Sequence, residues 1–492
     1  MSKFHWHGHL VFASEILLDT IPRRLQKLHN AYSVCLGLKA VGCANIFPSD
    51  FTDRPYWWGD WNPHEFPLVE VPREADAVVI GAGYAGLSCA LELARNAKSV
   101  VVLEADVPGI GASTRNGGQV TGGVNVGKKP SGGAPSELWK KRESAMLAEA
   151  AEAYRLFERT LDLYGIDCSY RRNGRITALW TSEHLRGWAE RIPLLNAQTG
   201  ADIREMSPDE MRRELASDYY AGGVFVSHAG HIDPAKYFRG LLRAAQSSGA
   251  VVCSHAPASK IERRGEGFEV TTERGAVRAR EVVIATNGYT GMLMPGLRRR
   301  VVPVTSHQIC TEELPSDLQR SLIPNDRAVV ETRRVTNYYS MSPDGKRLLF
   351  GGRARFYPLT ARQSATVLHT QMAARFPQLA DVKVSHSWGG YVALTFDFLP
   401  HIGKLGGVHY ALGCNGSGVT MMSYLGHKVA RQILDRPEAE TSAYAAPLPT
   451  HPLYHGRPWF MPVIGTYFQL RDVVDRQLSR RRAASSPARS AA

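Results

Sequence analysis

No C-x-x-C pair and no Cys/His cluster at metal-ligand spacing occurs among the seven cysteines of this chain, and an odd number cannot all pair with one another. This excludes a disulfide framework and a zinc site, and predicts reduced thiols in a cytoplasmic protein. No apolar run approaches the roughly 20 residues that a membrane-spanning helix needs, so no transmembrane segment is expected. The opening MSKFHWHGHLVFASEILLD is broken by polar residues too soon for a secretory signal, which leaves an organellar presequence as the targeting segment still open. A recognised nucleic-acid motif is also lacking. The formal charge of +13 therefore reads as solvated faces and ends, with short arginine runs at 298–300 and 480–482, and no nucleic-acid partner is expected. A second glycine-rich dinucleotide fingerprint is missing too, so one nucleotide-binding fold is expected.

What is present is a chain of 492 residues, long enough for more than one domain. It is organised around 75–119. An apolar, β-branched run at 77–80 predicts a buried parallel strand. Gly81-Ala82-Gly83-Tyr84-Ala85-Gly86 follows, then helical spacing of Leu and Ala to 97, then a second strand over 99–103 that ends at Glu104. Gly81 permits the tight turn, Gly83 lets backbone approach a pyrophosphate, and Gly86 lets helix and strand pack closely. The helix N-terminus offers N–H groups and a positive dipole end. Glu104 stands 23 residues after Gly81, near the position of an acid that holds a ribose hydroxyl and repels the extra phosphate of NADP. With one such fold the dinucleotide is NAD alone or FAD alone.

The residues after Glu104 decide between them by resemblance. Gly109-Ile-Gly111-Ala112-Ser113-Thr-Arg115-Asn116-Gly117-Gly118-Gln119 resembles the GASxRNGG loop of the D-amino acid oxidase-like flavoprotein superfamily, and its gamma-glutamylputrescine oxidase branch in particular. Further segments follow in family order. A Tyr-Trp pair at 56–57 precedes the fingerprint. Ala285-Thr286-Asn287-Gly288 matches a strand end that passes close to FAD. Trp388-x-Gly390, then Thr395-x-Asp397-x-x-Pro400-x-Ile402-Gly403, resembles the family's WxG…TxDxxPxIG segment. Gly413-Cys-Asn415-Gly416-Ser417-Gly418-Val419 opens a helix whose end, in the family, faces the pyrimidine edge of the flavin. The resemblance also implies that backbone near Ala258 meets the adenine. It implies FAD as cofactor, held at the fingerprint, Glu104, 111–119, 286–288, Asp397 and 413–419.

The resemblance implies an α/β fold: a Rossmann-like FAD-binding domain with a second, antiparallel-sheet substrate domain inserted discontinuously. The FAD-binding parts are expected at 68–166, 230–292 and 384–440, and the substrate parts at 167–229 and 293–383. Residues 1–67 form an N-terminal extension, with one or two helices over 14–38, and 441–492 form a C-terminal segment with a basic tail. Locally, 136–165 predicts a helix, 167–180 a hairpin turning at Asn173-Gly174, and 260–280 a meander. Asp233 before Pro234 predicts a helix N-cap, not a chemical pair with His231.

The resemblance further implies an FAD-dependent amine oxidase, with hydride passing to flavin N5 and dioxygen as acceptor, giving hydrogen peroxide. A dehydrogenase that hands electrons to a quinone or carrier protein is the alternative. Expected partners are a small-molecule amine and either dioxygen or an electron carrier. A cationic amine must lose a proton before oxidation, which a dry aromatic pocket or a base near neutral pKa would achieve. His307 is the candidate base; Tyr338, Tyr339 and Trp388 are candidates for an aromatic wall. Arg353 is a candidate for a carboxylate or a surface residue. Three departures from the family matter. Ser342 stands where amino-acid oxidases place a carboxylate-binding Arg, so an amine is expected as substrate rather than an α-amino acid. Gly390 stands where monomeric sarcosine oxidases attach flavin through Cys, and the 115–118 loop has no His, so non-covalent FAD is expected. Ser340 follows Tyr339 where relatives read Tyr-Tyr-Arg, so the substrate need not be gamma-glutamylputrescine.

Overall fold

The computed structural model describes residues 45–59, 61–122, 137–436 and 442–485. The expected helices within 14–38 lie outside them. Among the described residues three sheets form, two of eight strands and one of two. In the first, the fingerprint strand Glu74–Ile80 lies at the centre, parallel to Val100–Leu103 on one side and to Gly275–Ile284 on the other. The run Ala77, Val78, Val79 and Ile80 is buried throughout, as its unbroken apolar character requires of a strand covered on both faces. Helix Tyr84–Arg95 covers it on one face, and Gly418–Ile433 packs on that helix so closely that a Cβ at Gly426 would sit 2.0 Å from the Ala85 carbonyl oxygen. The meander Ala258–Arg264, Gly267–Thr272 and Gly275–Ile284 forms as expected, and its last strand continues into the central sheet.

The second sheet runs in the order Val384–Leu394, Val302–Thr311, Leu348–Gly352, Asn337–Met341, Ala328–Glu331, Arg175–Ala178, Gly223–Val226, Ile203–Met206. It joins both expected substrate parts into one roof. Its pairings are antiparallel except between Ala328–Glu331 and Arg175–Ala178, which run parallel. One boundary moves: Val384–Leu394 pairs along its length with Val302–Thr311, so it belongs to the roof and not to the nucleotide sheet. The hairpin expected at 167–180 does not form. Gly174 adopts φ +77° as a turn would, but Arg175–Ala178 finds its partners in Ala328–Glu331 and Gly223–Val226, and Arg171 bridges to His231 instead. The strand Ile203–Met206 ends the roof at the edge opposite Val384–Leu394.

Candidate cofactor and substrate site

The fingerprint turn has the geometry its glycines require. Gly81 sits at φ +101°, and a Cβ on Gly86 would fall 1.9 Å from the Gly81 oxygen, so neither position tolerates a side chain. A Cβ on Gly83 would meet only Ser113 Oγ, at 3.2 Å, within 4 Å. That hydroxyl accepts a hydrogen bond from Tyr84 N at 3.1 Å and so caps a helix that has no cap of its own. The Tyr84 ring points into the core and its hydroxyl donates to Pro234 O, while Ala85 meets Gly426, so both serve the turn through backbone. Glu104 Oε2 accepts from Ala82 N at 2.8 Å, which brings the carboxylate onto the glycine turn. Burial pushes its pKa up, against the pull of the backbone N–H bonds from Ala82 and Asp106.

The 111–119 loop is braced by its own side chains. Arg115 Nε donates to Ile110 O at 2.7 Å, and its guanidinium lies over the Trp58 ring. Asn116 Nδ2 donates to Ser113 O while its Oδ1 accepts from Gly118 N. Gln119 Nε2 crosses to Val329 O in the roof at 2.8 Å. Gly118 has φ +64°, and a Cβ there would fall 2.2 Å from Ile232 O. Trp57 and Trp58 cap this region from the N-terminal side, Trp58 donating to Thr114 Oγ1.

Two strand-end turns close the other side. Asn287 adopts φ +43° and accepts from Gly413 N (3.0 Å) and Cys414 N (3.3 Å) through Oδ1. Asn415, at φ +45°, accepts from Thr395 N and donates to Gly413 O. Asparagine in the left-handed region at both turns is strain held by surrounding bonds, a pattern that clusters at functional sites. Gly81, Gly83, Glu104, Gly111, Ala112, Ser113, Asn116, Gly117, Ala258, Thr286, Asn287 and Ser417 are half-buried, although the strands leading to them are buried. This partly open track of backbone joins a helix N-terminus at each end. It fits an extended dinucleotide with a ring system at its far end.

Above the track, strand alternation divides the roof residues. Gln308, Tyr338 and Gly351 share a face, paired as Gln308 with Gly351 and Tyr338 with Gly351. A Cβ on Gly117 would fall 2.6 Å from the Tyr338 ring and 3.1 Å from Gln308 Nε2, so this face meets the loop. Ser306 Oγ and the Tyr338 hydroxyl are hydrogen-bonded at 3.1 Å. Arg353 continues the same face. Its Nε is buried without a hydrogen-bond partner among the described residues. Burial lowers its pKa, while Tyr338 and Cys414 nearby act to raise it. Gln308 Oε1 is likewise buried and unpartnered among them.

Of the expected base and aromatic wall, Tyr338 lies on this face, but His307, Tyr339 and Trp388 do not converge with it. His307 pairs with Gly352 and Gly389, one residue out of phase with Gln308, so its ring lies on the opposite side of the sheet. It is buried, its Nδ1 has no partner among the described residues, and burial pushes its pKa down to about 4. Tyr339 shares that far side: it stacks on Phe350 and donates to Tyr220, inside the roof's own core. Trp388 is on the near side but buried with Trp57 and Trp58, where its Nε1 donates to Arg115 O at 3.0 Å. It braces the loop. Asp397 is also reassigned. Its carboxylate accepts from His401 Nε2 and Leu399 N, which shapes the turn before Pro400. Asp233 does what its sequence predicts, accepting from Ala235 N and Lys236 N as an N-cap. Sequence reading missed Gln308 and Ser306. The signal was Ile309: an apolar residue in a roof strand marks the core side, and Gln308 must then face the other way.

Among the described residues no group of acidic, Cys or His side chains could hold a metal ion, and no helix is long and apolar enough to cross a membrane. The model of the family "FAD dependent oxidoreductase" (DAO) matches residues 76–432. Gamma-glutamylputrescine oxidoreductase of Escherichia coli (strain K12) is 32% identical over 416 residues, covering 83% of this chain and 95% of that protein. Probable oxidoreductase OrdL of Haemophilus influenzae is 30% identical over 397 residues, covering 78% and 89%. Among solved structures, glycine oxidase from Geobacillus kaustophilus matches with a TM-score of 0.65 at 19% identity, covering 77% of this chain and 100% of that one.

Proposed function

This chain belongs to the DAO family of FAD-dependent oxidoreductases, and on that premise we propose that it oxidises the C–N bond of an amine that also carries a carboxylate, with dioxygen as electron acceptor. The observation that carries the proposal is Arg353, a half-buried side chain whose Nε is buried and unpartnered among the described residues, on the roof face that meets the 111–119 loop. A buried guanidinium N–H without a partner is costly, and a substrate carboxylate would satisfy it by a charge-assisted hydrogen bond. Similarity to gamma-glutamylputrescine oxidoreductase and to a glycine oxidase supports the class, since glycine and gamma-glutamylputrescine each combine an amine with a carboxylate.

Bound FAD supplies the hydride acceptor. Its diphosphate would lie at the fingerprint turn, its ribose at Glu104, its adenine near Ala258, and its ring system between Gly117, Thr286–Gly288 and the 413–419 turn. No Cys or His stands at the positions the family uses for attachment, so it is held non-covalently. The chain's own residues do the rest. Arg353 anchors the carboxylate, Gln308 and the Tyr338–Ser306 pair orient the amine, and the roof excludes water. None of these side chains is a base at neutral pH. The amine then enters in its neutral form, its proton left to bulk water, because desolvation under Tyr338 and the positive charge of Arg353 disfavour the ammonium; His307 lies across the sheet and takes no part.

The test is a panel that separates the amine from the acid. Gamma-glutamylputrescine and putrescine share an aminobutyl group, and only the first has a carboxylate. The proposal expects turnover with peroxide release from the first, or from another carboxylate-bearing amine, and little from the second. Equal turnover of both would remove Arg353 from substrate recognition. Slow reoxidation in air with fast reduction of a quinone analogue would favour the dehydrogenase, a reading that the exposed face of the C-terminal helix also favours.

A further inference from the structure

The C-terminal helix, Met461–Ser485, presents two contrasting faces. Gly465, Gln469, Asp472 and Ser479 recur at helical spacing and are buried against the roof. This inner face is firmly anchored. Asp472 accepts from Arg334 N and Val335 N, and its carbonyl accepts from Trp180 Nε1 at 2.8 Å. The Arg476 guanidinium lies 4.2 Å from the Trp180 ring centroid and 3.7 Å from that of Tyr219. A Cβ on Gly465 would fall 2.0 Å from the Phe356 ring, so glycine lets the helix approach.

Directly opposite lie Val463, Tyr467, Leu470, Val474 and Leu478, spaced by four, three, four and four residues. They are between 43% and 72% exposed, and Trp459, 67% exposed, stands just before the helix. A continuous apolar stripe of this length on the outside of a folded chain is an interaction surface by ordinary standards. Its charge is one-sided. Arg480 and Arg481 are exposed at its end, and Arg471 and Arg482 are exposed beside it, 3.7 Å from Asp475 and 3.2 Å from Glu183 respectively. Both carboxylates of the helix are taken: Asp472 is buried, and Asp475 is held by Arg334 at 2.7 Å and by Arg471 at 3.7 Å.

We propose that this outer face seats the protein on an anionic lipid bilayer, with the apolar stripe in the interface and the arginines on lipid phosphates. A second copy of the chain fits less well. Two such stripes facing each other would bring arginine against arginine with no exposed carboxylate on the helix to answer it, whereas an anionic bilayer supplies both the apolar layer and the countercharge. Trp459 and Tyr467 are the residue types favoured at the headgroup level. The inner-face contacts leave the helix in place, so seating requires no refolding. The inference does not rest on the proposed substrate.

The experiment uses the FAD-loaded full chain with sedimenting vesicles, one set containing phosphatidylglycerol and one of phosphatidylcholine alone. Binding is expected to the first set only, and to weaken as salt rises. The variant L470E/V474E should lose about tenfold or more of the bound fraction, since it places charge in the stripe. Its flavin content and its reduction of a soluble dye should match the parent, because the stripe touches neither the site nor the roof core. Absence of binding to phosphatidylglycerol vesicles, or binding that the variant retains, would overturn the proposal. So would a concentration-dependent doubling of mass in lipid-free solution that the variant abolishes, since a second copy would then own the stripe.

Discussion

Replacing Arg353 by methionine keeps much of the side chain's length and removes its charge. A hydrogen bond to a charged group contributes about 1.5–3 kcal/mol, so kcat/KM for a carboxylate-bearing amine should fall roughly 10- to 150-fold, while an amine without a carboxylate should change little. Steady-state kinetics on a matched pair of amines checks this. Asp397 makes a prediction of the opposite kind, on stability. Burial works against its charge, but hydrogen bonding and the charge of His401, with the Leu399 N–H, hold its carboxyl below the usual range. A depressed folded-state value means that the stabilisation is present above the ordinary carboxylate pKa and is lost as pH falls through the lowered one. Asp397→Asn should therefore lower the melting temperature at neutral pH and flatten its decline toward acid, without shifting substrate preference. A cofactor-contacting role would instead appear as loss of FAD at neutral pH.

Two helices set the nucleotide domain, and their separation hangs on one glycine. Gly426→Ala puts a methyl group against the Ala85 carbonyl, a contact between a side chain and backbone that cannot rotate away. Overpacking of this kind costs typically about 1–3 kcal/mol, and here the displaced helix is the one that opens the fingerprint. The melting temperature and the FAD content should fall together. Gly187→Ala is the control: it lies in the helix Glu183–Ala189 with no atom within 4 Å of the added methyl, so it should leave both unchanged or raise the melting temperature slightly. At this scale the sequence was an uneven guide. The fingerprint, the Asp233 cap and the meander at 260–280 were legible because each depends on local chemistry, such as a glycine φ, a proline at the first helical position, or alternation between turns. The pairing of Arg175–Ala178 was not, because its partners come from far along the chain and no local residue names them. The same limit hid the site. His307 and Tyr339 are the residue types that amine chemistry calls for, but the sheet's two-residue period turns both toward the roof's interior. Their neighbours Gln308 and Tyr338 face the loop, and only the register against Gly351 and Gly117 shows it.

At the scale of the molecule, the two sheets meet along the half-buried track, and the loop 111–119 is bonded to the roof through Gln119 and Trp388 and to the fingerprint helix through Ser113. A ligand filling that track stabilises the whole chain and not one domain. At about 100 times its Kd, FAD should add roughly 2.7 kcal/mol, seen as a single thermal transition moving upward as FAD is added to stripped protein. Two transitions, with only one responding, would mean that the roof and nucleotide sheets are not coupled through the loop. The most direct test is an anaerobic titration of the FAD-loaded protein with carboxylate-bearing amines, following the visible flavin band. Bleaching by at least one of them, with recovery and peroxide release on admitting air, is the predicted result. A reconstituted flavoprotein whose band no amine in the panel reduces would contradict amine oxidation as the function of this site.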